Sequence, residues 1–312
     1  MIITLTPNPS VDRTLLVEHI RFNEVLRTEP AELDWGGKGF NVSRALKLLN
    51  QDVLALAWVG GAAGKMLVDG LNNLGIQTDF ILVEEETRTN TMARELAGEW
   101  YIRLNEPGPH IPQDAIDALL QKAANLAKEG DIWVASGSLP QDVPDTFYAD
   151  LISMVQSKGA RVFFDAYDQA LRLGVEAHPF LVKPEIAEAE AFAGFPIRNY
   201  SDAQRAVLSF LRHGAENVAM TIGGLGVLLA TQKEMVLALP PKMKARNFVI
   251  SGDAVMAGLV YGLAMKLSLA DSARWGAAFG AAVVQSERIH QTRREDVESM
   301  LARIDVRVIN VM

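Results

Sequence analysis

The strongest constraint in this chain is the alternation of two hydrophobic rhythms. Short apolar runs at Met1–Thr6, Val53–Val59, Asp131–Ala135, Arg161–Asp165 and Phe180–Val182 alternate with stretches of helical spacing at Phe40–Leu49, Lys65–Leu74, Thr146–Gln156 and Glu185–Ala193. A short apolar run suits a strand covered on both faces. Parallel strands need a long crossover between them, and a helix supplies it. The alternation therefore predicts right-handed βαβ units, a mainly parallel central sheet and helices on both of its faces, an α/β fold. With 312 residues, 49% of them apolar and 22% charged, the chain has enough material for one such core carrying an insertion.

Three regions depart from the rhythm. Val218–Ile222, Val227–Ala230 and Met235–Leu239 are short runs joined by tight turns, which predicts an antiparallel edge, and helices are expected from Gly252 to about Arg288. Thr14–Trp35 and Thr89–Leu104 read as extended and half-polar. Lying outside the βαβ repeat, they are expected to pair as a small separate sheet over one end of the core. Such a sheet serves as a lid or as a dimer surface.

Charge and composition narrow the function. The net charge is −8 and no block of Lys and Arg stands out, so a nucleic-acid groove is not expected. An anionic ligand would have to be held by local Arg and Lys side chains and helix N-termini. The absence of Cys removes disulfides, Cys-ligated zinc and thiol nucleophiles. The histidines His19, His110, His178, His213 and His290 have no metal-ligand spacing. The N-terminus lacks the pattern of a signal peptide, and the uncharged stretches Val53–Gly64 and Ala254–Met265 are too short for a membrane span. A cytoplasmic protein without a membrane or nucleic-acid partner is the expectation.

Candidate chemistry collects where strands end, because ligands of parallel sheets sit beyond the strands' carboxyl ends. Asp12, in Asn8-Pro9-Ser10-Val11-Asp12, follows the first strand and reads as an acceptor for a sugar diol or as a turn residue. Gly36-Gly37-Lys38-Gly39-Phe40-Asn41 opens the first long helix, where glycines permit close backbone approach and free N–H groups favour an anion. Ser136-Gly137-Ser138-Leu139-Pro140 and Thr221-Ile222-Gly223-Gly224-Leu225-Gly226 follow later strands and suit a ligand loop or a plain turn. Ser251-Gly252-Asp253 precedes an uncharged helix. Amides at that helix start would stabilise a moving phosphoryl group while Asp253 takes a proton; an N-cap Asp is the plainer reading. Glu185 and Glu188 share a face in the first turn after Lys183-Pro184, fit to order Mg²⁺-bound water or to complement the helix dipole.

The order of these motifs, Asn-Pro-x-x-Asp, Gly-Gly-Lys-Gly-x-Asn, Gly-Ser-Leu-Pro, Lys-Pro-x-x-x-Glu and Gly-Asp, resembles the PfkB (ribokinase-like) carbohydrate kinases over nearly the whole chain. Thr6-Pro7-Asn8-Pro9, Arg88-x-Asn90 and Asn105-Glu106-Pro107-Gly108-Pro109 are similar to the 1-phosphofructokinase and tagatose-6-phosphate kinase branch. The resemblance implies a three-layer core of residues 1–9, 38–86 and 106–312 and a β lid of residues 10–37 and 87–105, shared across a homodimer. It implies ATP as co-substrate, Mg²⁺, and a hexose phosphate as acceptor, with fructose 1,6-bisphosphate as product. By the same resemblance Asp12, Gly37, Lys38, Asn41, Arg88 and Ser138 hold the sugar phosphate, and Arg27 reaches toward a neighbouring subunit. Thr221, Gly223, Gly226, Ser251 and Gly252 line the nucleotide site, Glu188 supports the metal, and Asp253 is the base.

The chain departs from the family pattern at the anion hole, where Gly-Ala-Gly-Asp is replaced by Ile250-Ser251-Gly252-Asp253. Glu185 replaces the family's Asn, and Ala254 its Ser. A β-branched residue at positive φ would be strained and would crowd a phosphate. The alternative function is therefore a catalytically weakened or inactive relative that binds a sugar phosphate as a regulatory or sensing module.

Overall fold

The computed structural model describes residues 1–96, 100–243, 250–286 and 292–309. The chain begins with β1 (Ile2–Thr6), β2 (Ser10–Val17), β3 (Glu32–Gly36), α1 (Lys38–Leu48), β4 (Val53–Val59) and α2 (Gly61–Asn73). Four strands follow: β5 (Gln77–Thr78), β6 (Ile81–Leu82), β7 (Thr89–Glu95) and β8 (Tyr101–Leu104). The middle third alternates α3 (Gln113–Leu126), β9 (Ile132–Ser136), α4 (Phe147–Gln156), β10 (Arg161–Asp165), α5 (Asp168–Glu176) and β11 (Leu181–Val182). Next come α6 (Ile186–Ala193), α7 (Tyr200–His213), β12 (Asn217–Thr221), β13 (Val227–Thr231) and β14 (Met235–Leu239). Last are α8 (Ser251–Ala264), α9 (Leu269–Gln285), α10 (Arg294–Leu301) and β15 (Asp305–Ile309).

The large sheet has the order β15-β14-β13-β12-β11-β10-β9-β1-β4-β5, with β6 also beside β4. From β5 to β12 every pairing is parallel, and from β12 to β15 every pairing is antiparallel. The parallel part and the antiparallel edge agree with the sequence reading. The outermost strand β15 is absent from that reading, because its alternation is shallow and two of its five residues are only half-buried, the rest exposed. Arg288, the expected end of the helical region, and His290 lie outside the described residues.

The sheet carries a core on each face. Leu5, Trp58, Trp133, Phe147, Tyr148, Phe164 and Phe210 pack on the α3, α4 and α7 side. Val42, Leu46, Phe163, Leu229, Leu259, Phe279 and Val297 pack against α1, α8, α9 and α10. Phe163 and Phe164 enter opposite layers, as the two-residue period of a strand requires. The result is a three-layer α/β core, as the fold reading expects.

A separate four-stranded sheet has the order β3-β2-β7-β8. Its base is anchored to the core where Val11 and Trp35 pack with Phe40, Leu67 and Leu71. Register places Asp12 opposite Asn90 on one side and Asp34 on the other. The face bearing Asp12, Asn90, Met92, Arg94 and Arg103 lines a cleft against the core. By strand alternation the opposite face carries Leu15, Leu33, Ala93, Ile102 and Leu104.

Candidate active site

The cleft between the small sheet and the carboxyl ends of the parallel strands has a volume of about 540 Å³. It is lined by Asp12, Gly37, Lys38, Asn41, Arg88, Ser138 and Asp253, which the sequence had scattered over more than two hundred positions. Sheet order explains the convergence: β1 is flanked by β4 and β9, so the loops after β1 and β9 open side by side.

Gly37 makes the entry to α1 possible. Its φ of 121° disfavours any side chain, and a Cβ there would lie 2.5 Å from Thr6 Cγ2. The helix therefore starts directly against β1, which carries Lys38 and Asn41 into the cleft. Asn41 Nδ2 donates to Asp253 Oδ2 at 2.8 Å. This bond joins the first helical turn of α1 to the first turn of α8, 212 positions apart in the sequence.

Asp253 is only 6% exposed. Burial pushes its carboxyl up to about 7, while nearby Lys38, the Asn41 hydrogen bond and Lys183 restrain the shift and Asp165 adds to it. A carboxylate near neutrality at a helix start is suited to general-base work. Ile250 caps α8 with φ −109° and ψ −1°, a conformation open to any residue, and its side chain lines the cleft without separating Asp253 from Asn41. The positive φ feared for this position is not observed. Ser251 and Gly252 begin the helix beside the cleft. A Cβ on Gly252 would come 2.8 Å from Glu185 Oε1, so the backbone there approaches the Lys183–Glu185 segment closely.

Below Asp253 lies an ionic cluster that sequence reasoning missed. Lys38 Nζ is 2.6 Å from Asp165 Oδ1 and 3.6 Å from Glu188 Oε1, and Lys183 Nζ is 3.0 Å from Asp165 Oδ2. Burial opposes the charge on Asp165, yet Lys183 and Lys38 outweigh it and hold the carboxyl below its ordinary range. Burial likewise opposes the Lys38 ammonium, and Asp165 and Glu188 overcome it and raise its pKa. Burial raises the Glu188 carboxyl, reinforced by Asp165. Lys38, expected to hold the sugar phosphate, thus shares its charge with two carboxylates at the cleft floor. A signal for the cluster existed: Asp165 ends an apolar run and Lys183 follows one, and charges at strand ends point to this same edge.

The other end of the cleft is organised around Arg88. Its guanidinium donates to the carbonyls of Asn8 at 2.8 Å and Glu106 at 3.0 Å, while its buried Nε has no hydrogen-bond partner among the described residues. Asn8 Nδ2 in turn donates to Pro107 O and Ser138 Oγ, tying three cleft loops together. Asp12 accepts from Ser10 Oγ at 2.7 Å and Asn90 Nδ2 at 2.9 Å, so its carboxylate is fixed facing the cleft.

Not every expected residue reaches this lining. Arg27 is exposed in the β2–β3 connection. Thr221 pairs by backbone with the Pro184–Glu185 segment, and Gly223 is exposed beside it. Gly226 forms the turn into β13 with φ 97°. Glu188 Oε2 accepts from the Glu185 N–H at 2.8 Å, and among the described residues no cluster of three potential metal ligands occurs.

A near-neutral acid, a helix start and cationic side chains gathered at strand ends under a small sheet suit the binding and transfer of a charged group. Comparison with known proteins agrees, and the chain belongs to the pfkB family of carbohydrate kinases, whose family model matches residues 6–292. The chain is 33% identical over 306 residues to the 1-phosphofructokinase of Bacillus subtilis, covering 98% of this chain and 99% of that one. It is 30% identical over 311 residues to the 1-phosphofructokinase of Escherichia coli K12, covering 98% of each. Among solved structures, phosphofructokinase-2 from Escherichia coli in complex with fructose-6-phosphate superposes with a TM-score of 0.90 at 27% identity, covering 96% of this chain and 98% of that one. Its tetrameric inhibited form gives 0.91 at 28% identity with the same coverage.

Proposed function

We propose that this carbohydrate kinase is 1-phosphofructokinase-like, moving the γ-phosphoryl group of ATP to a free hydroxyl of a ketohexose phosphate and giving fructose 1,6-bisphosphate. The observation that carries the reading is the Asn41–Asp253 bond, which sets a near-neutral carboxylate in the same cleft as the unpartnered Nε of Arg88. The acceptor's existing phosphate binds Arg88 and Ser138, and its diol meets Asp12. Asp253 takes the hydroxyl proton as the acceptor oxygen bonds to the γ-phosphorus. The bond from that phosphorus to the β–γ bridging oxygen breaks, and ADP leaves. Amides of Ser251 and Gly252 stabilise the charge on the moving group, with the Lys38 ammonium beside them.

The triphosphate extends from Gly252 past Glu185 toward Thr221, Gly223 and Gly226. A Mg²⁺ ion carried by its oxygens fits a site offering few carboxylates, with Glu185 half-exposed in the cleft lining and Glu188 one turn on to hold metal-bound water. When bound, the ion neutralises charge on the β- and γ-phosphates. The positive charge it would supply would offset the Glu185 carboxylate beside the phosphates.

The small sheet acts as the lid, residues 10–37 and 87–105, over a core of residues 1–9, 38–86 and 106–312. Its outer face exposes Leu33, Ile102 and Leu104, which suits pairing with a second copy in a homodimer and brings Arg27 toward the partner's cleft. Among the described residues no helix is long and apolar enough to cross a membrane. The cytoplasm, where ATP and sugar phosphates are available, is the proposed compartment. The rival reading, a binding module without catalysis, rests on the altered anion hole; the observed φ of −109° removes its strain argument, and the relatives named 1-phosphofructokinase do not favour it.

A coupled assay with fructose 1-phosphate, fructose 6-phosphate and tagatose 6-phosphate tests the proposal. Turnover is expected, with fructose 1-phosphate preferred. No ADP release with any of the three would overturn it.

A further inference from the structure

Tyr167 takes no part in the transfer described above, and the fold does not require an aromatic ring there. Its backbone is extended, with φ −125° and ψ 160°, and it belongs to none of the three core clusters. It is nevertheless placed in the cleft lining, 38% exposed, in company with Gly137, Ser138, Glu185, Ile250 and Asp253. Lys38 Nζ stands over the ring, 4.0 Å from its centroid. A cation fixed there by Asp165 and Glu188 occupies one face of the ring. The 38% exposure of Tyr167 leaves ring surface open to the cleft that it lines with Ser138 and Asp253.

We propose that Tyr167 is a specificity-determining wall of the acceptor site, its free ring face stacking on the C–H face of a cyclic ketohexose phosphate. The inference rests on the kinase reading above and deepens it, since it assigns the selection of acceptor shape to one residue. A cyclic sugar offers a flat apolar face to an aromatic ring, whereas an open-chain polyol phosphate of the same charge does not. Lys38 backs the ring and keeps it from turning aside. The tyrosine therefore discriminates by shape, and Arg88 and Ser138 by charge.

The test compares wild type, Tyr167→Phe and Tyr167→Leu on fructose 6-phosphate and on its open-chain counterpart, sorbitol 6-phosphate. The leucine variant is expected to lose up to about tenfold in kcat/KM for the cyclic acceptor, the size of an aromatic stacking contact. It should change little on sorbitol 6-phosphate, and its KM for ATP should stay within about twofold. Tyr167→Phe keeps the ring and should behave as wild type. Equal losses on both acceptors, or a rise in KM for ATP in step with them, would show collapse of the Lys38 cluster and overturn the proposal. Should wild type turn over neither acceptor, the kinase reading is decided separately by turnover of fructose 1-phosphate. Tyr167 is then judged by calorimetry with fructose 1-phosphate, where weaker binding by Tyr167→Leu supports the wall and equal binding refutes it.

Discussion

At the floor of the cleft, Asp165 is 2% exposed and Lys183 fully buried, each held against a charged partner, whereas on the outer face of the small sheet Leu104 is 64% exposed. The two regions are stabilised in opposite ways. The floor is built from strand ends and helix starts of the three-layer core, and its charges are desolvated and paired before any substrate arrives. Removing one partner from such a pair leaves an uncompensated buried charge, so the floor resists change. The small sheet has apolar surface on one side and a binding face on the other, with only its base anchored at Val11 and Trp35. The core therefore supplies chemistry by itself, while the acceptor's cover depends on what packs against that sheet.

The sharpest way to test the floor is Asp253→Asn. With the base gone, kcat should fall about 10²–10⁴-fold while binding of ATP is retained. Stability should move the other way. The folded carboxyl titrates at about 7 rather than its ordinary 3.8, which bounds the cost of keeping it ionised at roughly 4 kcal/mol. A raised folded pKa favours folding while the group is protonated, and that advantage is lost as pH climbs from about 4 to about 7. The Asn variant should accordingly melt higher than wild type at pH 8, with the gap closing toward pH 4. Calorimetric melting at both pH values checks this, and a lower melting temperature at pH 8 would contradict the burial argument.

The matching test of the sheet is Ile102→Asp combined with Leu104→Asp. Charges on this face should yield a monomer by light scattering and raise the acceptor KM by about tenfold, with a much smaller change in the KM for ATP. A monomeric wild type, or a variant with unchanged assembly, would remove the homodimer from the functional picture. Between these extremes lies Asn41→Ala. It withdraws a hydrogen bond from the ionised form of Asp253, so the carboxyl should titrate higher. The activity rise through about pH 7 should move to higher pH, leaving a modest loss at pH 8 and a larger one at pH 6.5.

The same contrast governs what could be read from the residues alone. Strand–helix alternation, the antiparallel edge and the separate sheet are local patterns, and each is present in the structure. The motifs at Asp12, Lys38, Asn41, Ser138 and Asp253 were visible because glycines, prolines and polar residues cluster after apolar runs, and Arg88 entered only through the family resemblance. Asp165 and Lys183 were not, since a charge ending a strand looks like any solvated loop residue until sheet order sets β10 beside β11. Tyr167 was hidden for a similar reason: only the position of Lys38 shows which face of the ring is free. The strand β15 escaped because an edge strand keeps a largely exposed, polar surface.

The smallest effect is expected at the position where the sequence departs most plainly from its family. Ile250→Gly restores the family's residue at the head of the anion hole. If the isoleucine strained that turn, glycine would relieve it and kcat would rise sharply. The observed φ of −109° and ψ of −1° lie where an ordinary residue sits without strain, so nothing is stored for glycine to release. The amides of Ser251 and Gly252 already follow from a regular helix start. Glycine should change kcat by less than about threefold, and its greater freedom in the unfolded chain should cost about 0.5–1 kcal/mol of stability. A tenfold gain in kcat would mean that the isoleucine side chain, which borders the cleft, obstructs the path between donor and acceptor and that the floor is less finished than its buried ion pairs suggest.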